Sequence, residues 1–136
     1  MACYGLWLPA RERMLLRFVD GRPVSPVTCA FLAWAAERLA AEGVRVLALV
    51  WDNASWHISR EVRDWTRMHN REVKRTGQGC RLPSRSPWLN PIEPKWVHGK
   101  RAVVEPARKL TGIELKQRLC DHYRCQLLQP LAQQVS

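Results

Sequence analysis

Two carboxylates occupy positions where a structural role alone is an incomplete account. Asp52 ends a nearly continuous apolar run, Val44-Arg-Val-Leu-Ala-Leu-Val-Trp51, and open α/β sheets gather ligands at the carboxyl ends of their strands. Glu93 falls in the first turn of an expected helix that follows a Pro-rich loop. Two carboxylates converging from different elements, in a chain of formal net charge +10, would suit Mg²⁺. That ion takes hard oxygen ligands, keeps waters and accepts phosphate oxygens from a substrate. Two such ions can activate an attacking hydroxyl and stabilise the leaving oxygen in phosphodiester transfer. Each acid also fits a structural reading. Asp52-Asn53 makes a common turn at a strand end, and Glu93, three residues after Asn90, completes a capping box.

The charge points the same way. The 136 residues carry 22 Lys+Arg against 12 Asp+Glu, and residues 69–136 hold 13 of the cations and only 5 of the acids. A basic excess concentrated in one half favours a polyanionic partner, nucleic acid before an anionic membrane, over a merely solubilising surface. No apolar stretch approaches the roughly 20 residues of a membrane span. The opening residues lack a signal peptide's basic-then-apolar layout, so a cytoplasmic protein is expected. Five cysteines with no CxxC pair read as free thiols of a reducing compartment. Cys120 and Cys125 are five apart, off one helical face, and a zinc site using them with His122 would lack further ligands.

The elements that must carry these residues follow from pattern. Residues 3–8 and 14–19 read as two strands of a hairpin or meander. Ser25-Pro26 opens a helix as N-cap and first-turn Pro, with Phe31, Leu32, Ala35 and Leu39 at helical spacing and Gly43 as its stop. The run ending at Trp51 is apolar enough for a central, parallel strand buried on both faces. Ser59 caps a helix to about Arg71, with Val62, Trp65 and Met68/His69 on one stripe. Residues 76–79 form a loop, and Cys80-Arg-Leu82 is a short strand cut off by Pro83. Asn90 and Pro91 open a helix through Val97. Thr111 and Glu114 form a capping box for a final amphipathic helix over 111–128, with Leu115, Leu119 and Tyr123/Leu127 on one face. The length suits one domain over residues 1–136, with a core at 3–105. The fold class is α/β, a mixed sheet flanked by helices.

The string Val50-Trp-Asp52-Asn53-Ala-Ser-Trp-His57, followed by Ser86-Pro-Trp-Leu-Asn90-Pro-Ile-Glu93-Pro-Lys-Trp96, resembles the DDE transposases, in the mariner-like branch of bacterial insertion sequences. The pattern there is a strand ending in Asp-Asn, a His four residues on, and later an ungapped Ser-Pro-x-Leu-Asn-Pro-Ile-Glu-x-x-Trp. The resemblance implies a ribonuclease H-like fold and metal-dependent DNA cleavage and strand transfer with Mg²⁺ or Mn²⁺. Asp52 matches the second catalytic, metal-holding acid and Glu93 the third. Asn53 and His57 match positions that would orient Asp52 or a phosphate, with turn and loop packing an equal alternative; Asn90 supports them. Arg85, Lys95, Lys100 and Arg101 would touch the DNA backbone, unless they simply line a solvated face.

Two departures stand out. Asp52 and Glu93 are separated by 40 residues, a few more than that branch usually shows, with the excess assigned to residues 76–79. The family's first acid lies on a strand ahead of the stretch resembling residues 2–8, and Asp20, beyond a hairpin, substitutes poorly. The expectation is therefore a catalytic domain lacking its first, central strand, truncated or the product of a split reading frame, and weakly active or inactive alone. Its expected partners are transposon-end and target DNA, an upstream-encoded N-terminal segment and a second copy in a homodimer, with no membrane. Two rivals remain: a non-catalytic basic DNA-binding remnant, and a ribonuclease H-like nuclease or resolvase with its own acids, Asp20 included.

Overall fold

A computed structural model describes residues 2–8, 11–47, 49–50, 59–82, 84–85 and 111–132. The chain divides into two compact units, one from Met1–Arg22 with Pro91–Ala132 and one from Pro23–Asn90 with Gln133–Ser136.

In the first unit, strands β1 (Ala2–Leu8) and β2 (Arg13–Asp20) form the expected antiparallel hairpin, in register from Leu8↔Arg13 to Ala2↔Val19. The period-2 alternation of β2 places Met14, Leu16 and Phe18 on one face. Helix α3 (Gly112–Tyr123) packs Leu119 and Cys120 against these three, with Trp7, Leu115 and Tyr123 at the margin. The capping box is complete: Thr111 Oγ1 accepts from the Glu114 N–H at 3.2 Å, and the Thr111 N–H donates to Glu114 Oε2 at 3.3 Å. Helix α3 stops at Tyr123, short of 128, because Arg124 adopts left-handed φ 56°. The Cys125 N–H then donates to the Cys120 carbonyl (2.8 Å) and the Arg124 N–H to that of Asp121 (3.2 Å), a Schellman ending. Such an ending folds the chain back, so Cys125 joins the same cluster as Cys120. This corrects the helical-wheel expectation, which holds only while the helix continues. Leu127 is left exposed. A short strand β5 (Leu131–Ala132), unforeseen in the sequence, pairs parallel with Val19 and Asp20. The strand order is β1-β2-β5, and β1 has no strand on its other edge among the described residues.

In the second unit, helix α1 (Ser25–Ala41) packs against helix α2 (Arg60–Thr76). Phe31, Leu32, Ala35 and Leu39 are all buried, as their spacing predicts. Ser25, however, lies inside the first turn and Val24 is the N-cap. The Ser25 hydroxyl donates instead to Ser59 Oγ at 2.7 Å. Ser59 in turn caps α2 by accepting the Val62 N–H at 3.3 Å. Val62 and the partly buried Trp65 and His69 line the inner stripe of α2, whereas Met68 is 67% exposed. Gly77, at φ 68°, ends the helix.

Strand β3 (Leu49–Val50) runs parallel to β4 (Ser84–Arg85), in register Leu49↔Ser84 and Val50↔Arg85. Ahead of it Val46 bridges Arg81, the Leu47 N–H donates to the Arg81 carbonyl at 2.8 Å, and the Arg81 N–H to that of Arg45 at 3.0 Å. The parallel pairing agrees with the apolar run, and α2 supplies the crossover that parallel strands require. Burial on both faces does not hold at Val46, which is 56% exposed. Pairing also resumes after Pro83 rather than ending there. No described helix is long and apolar enough to cross a membrane.

Candidate functional site

Asp52 follows the last described residue of β3 by two positions, and Ser86, where the second motif begins, follows Arg85 directly. The two strands are hydrogen-bonded neighbours running the same way. Both motif blocks therefore leave one small sheet at its carboxyl edge, the side where α/β sheets gather their ligands. Asp52, Asn53, His57, Asn90, Glu93, Lys95, Lys100 and Arg101 lie outside the described residues, as does the expected helix after Asn90. Arg85 ends β4, its backbone in register with Val50.

Helix α2 holds the approach to β4 through two side chains, Asn70, which pattern reading missed, and His69, which it placed only on the inner stripe of the helix. Asn70 Oδ1 accepts the Leu82 N–H at 2.9 Å, and His69 Nε2 lies 2.6 Å from the Cys80 carbonyl. A carbonyl only accepts, so Nε2 carries the proton. Cys80 and Leu82 are fully buried, and these bonds satisfy backbone groups on a strand segment that pairs on its other side with residues 45–47. Trp65 stacks on His69 at a centroid distance of 5.0 Å and fixes the ring. The available signal was Asn70 itself, a residue that gains little from a helix interior unless its side chain has a partner.

The outer face of α2 is strongly basic. Arg60, Arg63, Arg67, Arg71, Lys74 and Arg75 are all exposed. Several of these fall in the half of the sequence with the smaller net charge, so counting by halves hid them.

The thiols are structural in character. Burial pushes Cys29 up to about 11, with Glu61 adding to the shift. Burial also raises Cys80 and Cys120, the latter further by Cys125 and Asp121. Among the described residues no group of three or more His, Cys, Asp or Glu could hold a metal ion. No curated protein and no solved structure matches the chain. A family model does match, that of the DDE superfamily endonuclease, over residues 14–116. That span takes in both motif blocks and about three quarters of the length, and the chain belongs to the DDE superfamily endonuclease family.

Proposed function

We propose that this chain is part of a DDE transposase catalytic domain of the mariner-like insertion-sequence branch, acting in DNA strand cleavage and transfer on a ribonuclease H-like sheet. The observation that carries the reading is the ungapped Ser86–Trp96 block, which directly follows a strand paired in parallel with the strand leading to Asp52. In this reading Asp52 and Glu93 are the second and third catalytic acids. Their carboxylates are hard oxygen donors, which fits Mg²⁺ or Mn²⁺. Bound divalent ions supply activation of an attacking hydroxyl and stabilisation of the leaving oxygen.

The chain's own residues do the rest. Asp52 and Glu93 would hold the ions through their carboxylate oxygens. Asn53 and His57 orient Asp52 or a phosphate by hydrogen bonds, with Asn90 in support. Arg85, Lys95, Lys100 and Arg101 neutralise the DNA backbone without reading its sequence. Transposon-end and target DNA are the substrates.

A supercoiled-plasmid nicking assay with Mn²⁺, together with Mn²⁺ binding by the chain, tests the proposal. Weak Mn²⁺ binding lost in both Asp52→Ala and Glu93→Ala, with little nicking by the chain alone, is the expected result. Robust nicking abolished by Asp52→Ala would show that the acids of this chain suffice for cleavage and overturn the expectation of weak activity alone. Metal binding indifferent to both substitutions would sink the site.

A further inference from the structure

We propose that the outer face of α2 is a second DNA-backbone contact surface, separate from the motif residues. At 3.6 residues per turn, Arg60, Arg63, Arg67, Arg71 and Lys74 fall within about a quarter of the helix circumference, spread over roughly 21 Å of its axis. Arg75 borders the same stripe, where Glu72 holds its guanidinium through Nη2 at 2.6 Å and Nε at 3.3 Å, and all six cations are exposed. Asp64 is the single acid within it, 3.7 Å from both Arg60 and Arg67. Arg63, Arg71 and Lys74 form no ion pair among the described residues.

The stability of the helix does not account for this arrangement. Cations near a helix C-terminus complement the dipole, which covers Lys74 and Arg75. Arg60 and Arg63 sit in and just after the first turn, where the dipole opposes positive charge. Arg63, Arg67 and Arg71 are also successive i,i+4 neighbours, so like charges repel along the middle of the stripe, where Asp64 offsets Arg67 alone of the three. A sequence selected only for a soluble helix would alternate signs on this face. A phosphate backbone relieves both penalties. Each strand of a duplex presents a phosphate about every 3.4 Å of axis, so 21 Å of helix meets several. Guanidinium forks match phosphate oxygens bidentately, and those of Arg63 and Arg71 are in no ion pair among the described residues. The preference for DNA over other polyanions rests on the function proposed above.

Binding of the full chain to a 30-base-pair duplex of arbitrary sequence, titrated with salt in EDTA, tests the surface with the metal site silent. The Arg63→Gln/Arg71→Gln double variant should lower the slope of log affinity against log salt by about 2, and weaken binding on the order of tenfold near 0.1 M salt. Arg63→Lys/Arg71→Lys should retain the slope, and Asp64→Asn should tighten binding. An unchanged slope in the Gln variant, with its far-UV dichroism intact, overturns the surface whatever Asp52 and Glu93 do with Mn²⁺. Tighter binding to single-stranded RNA or to anionic vesicles than to the duplex overturns the assignment to DNA. Mn²⁺ binding indifferent to Asp52→Ala and Glu93→Ala, with the Gln effect preserved, would leave the surface standing and count only against the motif.

Discussion

At the scale of single residues, Asn70 and Cys29 make opposite demands on burial. Asn70 Oδ1 satisfies a backbone N–H on the fully buried Leu82. Asn70→Ala removes the acceptor and strands that donor away from water, at a cost of about 1–3 kcal/mol. Urea denaturation should show a lower midpoint with an unchanged slope; a midpoint within error of the parent would mean the contact is dispensable. Cys29 is held neutral by its surroundings, with its pKa raised from an ordinary 9.0 to about 11. An acid harder to ionise in the folded state favours folding while it stays protonated. Its contribution is therefore complete below pH 9 and is lost as pH rises toward 11, where the unfolded chain gains by ionising. Cys80 and Cys120 act with the same sign. Cys29→Ala should flatten part of the fall in melting temperature between pH 9 and 11, and an identical pH profile in the variant would refute that source.

At the scale of elements, what the sequence reveals depends on how local the deciding interaction is. Ser59 and Thr111 cap the helices they precede, because an N-cap bond closes within three residues. Ser25 has the same sequence credentials, yet its hydroxyl is claimed by Ser59, 34 positions away. Cys125 joins Cys120 only because Arg124 turns left-handed. Arg rarely announces such a conformation, which costs any residue with a Cβ. The cationic stripe of α2 was legible as a 3-4-4-3 spacing of basic residues, but its meaning needed the exposure of every member. If function maintains that stripe against helix stability, Arg71→Gln should stabilise the protein while it weakens DNA binding. Relief of repulsion from Arg67 is worth a few tenths of a kcal/mol, a small upward shift in melting temperature at low salt that fades as salt rises. A variant that is less stable at low salt would contradict this balance.

At the scale of the whole molecule, the family span and the folding units do not coincide. The match runs from Met14 to Lys116, so it begins inside the hairpin and ends inside α3. The two motif blocks are legible because each is a contiguous run of residue types at fixed spacing. The first unit was not, because its parts are separated by most of the chain and nothing local records that Leu119 and Cys120 cover Met14, Leu16 and Phe18. The last helix adds little to the family resemblance yet provides the apolar cover of that hairpin face. An isolated two-stranded hairpin is marginal in water, and β5 also comes from the C-terminal segment. A chain ending at residue 110 should therefore expose the Met14–Leu16–Phe18 face, bind a hydrophobic dye such as ANS and aggregate. The helices α1 and α2, which belong to the other unit, should retain most of their far-UV signal in the same sample. Truncation that leaves a dye-silent, soluble protein with the parent's unfolding midpoint would show that α3 is an appendage, and that the hairpin is stabilised by something other than the helix packed on it.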